Sequence, residues 1–135
     1  MRHAEFAFPG PLRGKLVAAI LSGAKTSTTG LLAEYEHYGE ELPQVGERSL
    51  VLGSDLAGVA VIETTEVRVI PLCEVELRHA VDEGEGFTTV AQWRADHSGF
   101  WQGPEVRAAL GDPEFTVDDM TKVVTERFRL LERIG

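Results

Sequence analysis

With one cysteine, Cys73, the chain can close no intramolecular disulfide, so its 135 residues must be held together by a hydrophobic core. No apolar run approaches the roughly 20 residues that a membrane-spanning helix needs. The N-terminus also lacks the apolar stretch of a secretory leader, which makes a cytoplasmic location the expectation. Basic residues are scarce: 13 Lys plus Arg stand against 22 Asp plus Glu, a net charge of −9. Such a surface repels a polyanion at long range. It counts against extended duplex binding and suits a small ligand, or a few nucleotides, in a focused pocket. The four histidines and Cys73 show none of the usual metal-ligand spacings, so neither a metal nor a cofactor is expected. Phosphate-binding glycine loops, nucleophile elbows, repeats and linkers are missing too. What remains is one domain over 1–135, long enough for a real core.

Apolar spacing then orders the elements. Leu12, Leu16, Val17, Ile20 and Leu21 recur at helical period, with Pro11 suited to the first turn and Gly23 to the end, which predicts a helix over 11–22. A strand over 26–32 follows, then an ordered loop over 33–46 containing Tyr35, Tyr38, Gly39, Pro43 and Gly46. Strands are expected over 48–52 and 59–70, the second apolar on both faces and stopped by Pro71. Helices over 72–83 and 89–100 come next, then a single helical turn within 102–119, and a closing strand over 123–131. The strands cannot all be joined by helical crossovers. A small α+β fold, with a mixed or antiparallel barrel decorated by helices, fits better than a doubly wound sheet.

Three strings could carry chemistry. In Gly23-Ala24-Lys25-Thr26-Ser27-Thr28-Thr29-Gly30, one lysine meets four consecutive hydroxyls at a helix-to-strand corner. Lys25 could hold a phosphate or carbonyl oxygen or activate Thr28, with Thr26, Ser27, Thr28 and Thr29 adding hydrogen bonds; a plain turn into a threonine-rich strand is the alternative. Asp82-Glu83-Gly84-Glu85-Gly86 packs carboxylates around two glycines, where closely spaced acids split their pKa values and can serve as acid and base. The other reading is a solvated acidic turn. Trp93, Arg94 and His97 sit on one helix, where Trp93 and Arg94 could stack on a base and His97 could shuttle protons; the alternative is that Trp93 fills the core, with Arg94 solvent-facing or a salt-bridge partner.

Taken together, these strings resemble the ASCH domain, a small PUA-like β-barrel family related to RNA-binding modules. The resemblance covers nearly the whole chain. It runs through Leu21 to Thr26 with Thr28, Glu34-Tyr35-Glu36, Leu42-Pro43, Val45-Gly46, the stretch 61–67, Glu83-Gly84-Glu85-Gly86, Trp93-Arg94, His97 and Glu126-Arg127-Phe128. Ala24 stands where many members carry a basic residue, and Phe87 where the acidic string usually continues with aspartate. The resemblance implies RNA, or a nucleoside or nucleotide, in a cleft between barrel and helices. Some members resemble small amidohydrolases acting on acetylated cytidine through a lysine, a threonine and a glutamate, positions matched here by Lys25, Thr28 and Glu83. Glu85, Trp93, Arg94 and His97 would then line the ligand. The resemblance also implies RNA cleavage as a second hydrolytic possibility, and a non-catalytic RNA-binding or regulatory module as the alternative.

Overall fold

The computed structural model describes residues 1–134. It is an α+β structure in which helices flank an open five-stranded mixed sheet. The strands are β1 (Arg2–Ala4), β2 (Ser27–Leu31), β3 (Arg48–Leu52), β4 (Gly58–Pro71) and β5 (Lys122–Arg133), arranged in the order β1-β3-β4-β5-β2. Among the described residues, only the β1–β3 pair is parallel. The long antiparallel β4–β5 pair forms the spine, and β2 adds to its far side.

Helix α1 (Pro11–Ser22) begins on Pro11 and buries Leu16, Val17 and Ile20. It ends where expected, at Gly23 with φ of 84°, whose amide bonds back to the carbonyl of Ile20. Arg13 is the surprise on this helix. Only 2 % exposed, it donates to the carbonyls of Phe6, Ala7 and Gly53, and so pins segment 5–8 over the sheet. A charged residue on a helix is ordinarily solvated, and nothing local distinguishes this one.

The expected loop over 33–46 instead starts with helix α2 (Leu32–Tyr38), capped by Gly39 in the left-handed region. None of its residues is buried, so it lacks the apolar stripe by which a helix is recognised. The helix expected over 72–83 divides into a 3-10 turn (Leu72–Glu74) and α3 (Leu77–Asp82). Helices α4 (Val90–Trp101) and α5 (Pro104–Leu110) complete the set. Two cores result. One, containing Trp93, Trp101, Leu31 and Val123, lies under α3, α4 and α5; the other packs α1 against Phe6, Ile62 and Phe128.

Sheet ends β1 and β2 are not paired with each other, yet both line one cavity of about 470 Å³. The sheet therefore curls until its two edges face a common hollow. Segment 5–8, α2 and α4 wall the rest of it.

Candidate functional site

The cavity sits where the two acid- and base-bearing strings of the sequence meet. Gly23 turns the chain out of α1, and the Lys25 amide then bonds to the Ala19 carbonyl. The Thr26 amide bonds to the carbonyl of Asp82, at the end of α3. Across this junction lies Gly84, with φ of 74°. A Cβ there would stand 2.7 Å from the backbone of Ala24 and 2.8 Å from Cα of Lys25. Backbone-to-backbone packing of this kind admits only glycine. Gly84→Ala is expected to pry the two strings apart and cost about 2–3 kcal/mol, since it adds left-handed strain to a backbone clash. Chemical denaturation would measure this, and a loss under about 0.5 kcal/mol, the level of a neutral surface change, would contradict it.

Lys25 and Glu83 are thereby brought together from 58 residues apart. The Lys25 ammonium donates to the carbonyl of Ser27 at 2.8 Å and to that of Glu83 at 3.3 Å, and lies 4.0 Å from Glu83 Oε1. The ring of Phe6 lies 5.8 Å from Nζ. Burial pushes the ammonium below its ordinary pKa, while the charges of Glu83 and Glu85 offset part of that effect.

Glu83 is the hub. Its Oε2 accepts from the Thr29 hydroxyl at 2.7 Å and from the Trp93 indole N–H at 2.8 Å, with His79 Nε2 at 3.3 Å. Because Thr29 donates to Glu83, its oxygen accepts from His79 Nε2, 2.6 Å away. On the other side, His97 Nε2 lies 2.9 Å from Oε1. The second nitrogen of His97, Nδ1, faces the Trp93 carbonyl at 2.9 Å. Both ring nitrogens thus face acceptors, an arrangement that favours the doubly protonated ring. Burial works against that charge, but the hydrogen bond and charge of Glu83 raise the His97 pKa above its ordinary value. For Glu83, burial alone would raise the carboxyl. Hydrogen bonds from His79 and His97, and the charges of His97 and Lys25, outweigh it and hold Glu83 well below the usual carboxylate range.

Glu85 differs from Glu83 in every respect. It is exposed and lines the cavity, and restricted hydration together with the nearby Glu83 raises its carboxyl pKa. The two neighbouring acids thus shift in opposite directions, Glu83 down and Glu85 up. Glu83, Glu85 and His97 offer oxygen and nitrogen atoms within 4.8 Å of one another. Glu83 is already occupied by N–H and O–H donors, however, and His97 turns an N–H toward it. The cluster is built for protons rather than for a cation.

The hydroxyl that reaches Glu83 belongs to Thr29, not Thr28. Ser27 and Thr29 turn together toward α3, where Ser27 Oγ donates to the His79 carbonyl at 2.9 Å and is sealed from solvent. Thr28 turns to the opposite face and lines the cavity. Ser27 therefore does not reach a ligand, and Thr26 serves through its backbone, taking the Phe128 amide on its carbonyl.

Two residues expected to stack on a base do not. Trp93 is fully buried, its indole N–H is spent on Glu83, and its ring stacks on His97 at 4.4 Å. The same packing is what holds His97 and Glu83 in place. Arg94 pairs with Asp119 at 2.5 Å, away from the cavity lining. Of the residues named from sequence, Lys25, Thr28, Glu83, Glu85 and His97 line the cavity. His79 was missed, although the i,i+4 spacing of His79 and Glu83 on one helix is a legible signal. Phe87 packs beside the ring of His97, so this departure from the family pattern leaves an apolar wall there.

The cavity wall carries further polar groups: Glu34 and Tyr35 of α2, Glu126 of β5 and Arg2 of β1. Arg2 is already paired with Glu40 and Glu47. Burial is the first cause in raising the Glu34 and Glu126 carboxyls, and it helps push the Tyr35 phenol up to about 12.

Comparison with known proteins agrees with this architecture. Residues 5–132 match the family model of the ASCH domain. A protein from Enterococcus faecalis V583 superposes with a TM-score of 0.83 at 24% identity, over 98% of this chain and 78% of that one. The ASCH domain from Lactobacillus crispatus JV V101 gives 0.77 at 26% identity, over 96% of this chain and 79% of its own. ASCH from Zymomonas mobilis shares the fold more distantly, with a TM-score of 0.52 at 14% identity over 90% of this chain and 68% of that one. No match was found among curated protein sequences. No helix among the described residues is long and apolar enough to cross a membrane. The family model spans nearly the whole chain and its solved members repeat this sheet and these helices: the chain belongs to the ASCH domain family.

Proposed function

We propose that this ASCH domain hydrolyses an amide on a small, uncharged nucleoside, of which acetylated cytidine is the model substrate. The observation that carries the reading is the single cavity that Lys25, Thr28 and Glu83 line together. Its volume, about 470 Å³, suits a nucleoside rather than a polymer. Its charged groups are mainly carboxylates, and Arg2 is already paired, so little remains to neutralise a phosphodiester chain. That disfavours the RNA-binding module and favours a ligand rich in hydroxyl and N–H donors.

In this reading Thr28 Oγ attacks the acyl carbonyl, forming a C–O bond and giving its proton to a base in the cavity wall. Lys25 steadies the oxyanion, because two backbone carbonyls already fix its ammonium as a hydrogen-bond donor. Glu83 has no proton to give. It holds Lys25 and His97 as cations, while the Glu85 carboxyl protonates the leaving amine as the C–N bond breaks. Water then attacks the acyl-threonine and loses a proton to Glu85. Thr28 regains its hydroxyl proton as the acid departs.

The test is deacetylation of acetylated cytidine, followed by absorbance. Thr28→Ala should lower kcat by about 10³-fold, in keeping with loss of a nucleophile that acts together with its partners, and leave the melting temperature unchanged. Undiminished turnover by this variant would refute the assignment. Binding that falls steeply with salt, and only for short RNA strands, would favour the non-catalytic module instead.

A further inference from the structure

The Thr28 proton needs an acceptor, and the sheet supplies one. In the antiparallel β2–β5 register, Thr28 stands directly opposite Glu126. Residues so paired project from the same face, with Cβ atoms about 5 Å apart. Both line the cavity. One oxygen of Glu126, Oε2, accepts a hydrogen bond from the Thr64 hydroxyl at 2.6 Å, which leaves Oε1 free to turn toward Thr28. Thr64 pairs with Phe128, two residues along β5 on the same face as Glu126, and β4 carries a bulge against β5 just beyond it, between Thr64 and Glu66. A bulge is a common device for re-aiming a side chain beside a site.

We propose that Glu126 is the general base of the reaction, accepting the Thr28 proton at Oε1 while Thr64 positions it through Oε2. The assignment rests on the amide-hydrolase reading above. In the first half-reaction the proton moves from Thr28 Oγ to Glu126 as Oγ bonds to the acyl carbon. In the second, Glu126 returns the same proton to Thr28 as the ester C–O bond breaks, so it ends each cycle ionised. Lys25 is thereby freed for the oxyanion. A neutral amine would otherwise have to serve as base, in a position where its N–H groups face two carbonyls. The charged and titratable groups around Glu126 are Arg2 from β1, Tyr35 from α2 and Glu47 ahead of β3. Because Arg2 is shared with Glu40 and Glu47, it does not neutralise Glu126. Burial keeps the carboxyl above its ordinary pKa, and so makes its anion the stronger base.

The test compares the wild type with Glu126→Gln, Thr64→Val and Thr28→Ala, taking kcat and KM on acetylated cytidine from pH 4 to pH 9. Glu126→Gln should reduce kcat by roughly 10²–10³-fold, with KM changed less than about threefold, and abolish the acidic limb of the kcat/KM profile. Thr64→Val should keep activity near its plateau but move that limb to higher pH, because the lost hydrogen bond favoured the anion. A limb that stays in place in both variants, or an unreduced kcat in Glu126→Gln, overturns the assignment. If Glu126→Gln fails to fold, the Thr64→Val limb decides alone. Failure of the parent reading looks different: the wild type does not turn over, or Thr28→Ala is fully active.

Discussion

Glu83→Gln is expected to lower unfolding free energy at pH 7 by about 3 kcal/mol, to drop the melting temperature by roughly 10 °C, and to reduce deacylation at least 10²-fold. The substitution preserves size and removes only the charge that Lys25 and His97 require. An amide can still accept from Thr29 and Trp93 through its oxygen. Its NH₂ group then faces His97, which must give up a proton to accept from it. The His97 pKa should therefore fall below its wild-type value, as an imidazole titration by NMR would read directly. An unmoved His97 pKa would show that Glu83 is not what holds that ring charged.

The pH dependence follows from the same shifts. Glu83 has its folded pKa held down, so the stability it adds is fully present above its unfolded value of about 4.3 and is lost as pH falls below that. His97 has its folded pKa raised, so its contribution is fully present below about 6.5 and fades as pH rises through the folded value. The gap in stability between wild type and Glu83→Gln should thus be widest between about pH 4.3 and 6.5, narrowing on both sides. Denaturant melts across that range would show it; a gap independent of pH would contradict the ionic network.

Lys25→Met is the second large effect, and its two readouts should separate. Activity is expected to fall about 10²–10³-fold, the usual loss when a donor to a developing oxyanion is removed. Stability should fall by only about 1–2 kcal/mol. The carbonyls of Ser27 and Glu83 lose a donor, which costs free energy. A buried ammonium is expensive to desolvate, however, and methionine relieves that expense while filling the space beside Phe6. Glu83 retains its bonds from Thr29, Trp93 and His97. A variant that unfolds outright while the remaining folded fraction turns over normally would make Lys25 a structural residue only.

Much of this was legible in the linear pattern. Period and punctuation placed α1, from Pro11 to Gly23, because a proline start and a glycine stop act locally. They placed β4 and β5 for the same reason, through alternation and a terminal proline. Lys25, Thr28, Glu83, Glu85 and His97 could be singled out because each is a reactive residue at a turn or on a helix face. Their composition alone pointed to acid–base chemistry in a small pocket. Elements without an apolar stripe, such as α2, left no such trace.

Tertiary structure decided the rest, since each remaining question turned on which distant groups come into contact. Strand parity turned Thr29 toward Glu83 and Thr28 to the opposite face, although both line the cavity, a difference of one residue that four adjacent hydroxyls conceal. Trp93 became the buried support of a carboxylate instead of a platform for a base, because α4 packs that face inward. Arg13 became an anchor for segment 5–8 only because the carbonyls of that segment arrive around it. Glu126, an ordinary acid in the sequence, acquired a partner through the β2–β5 register. Local propensity sets the shape of each segment, whereas the charge state and reach of a side chain are properties of its surroundings, and those exist only once the sheet has curled.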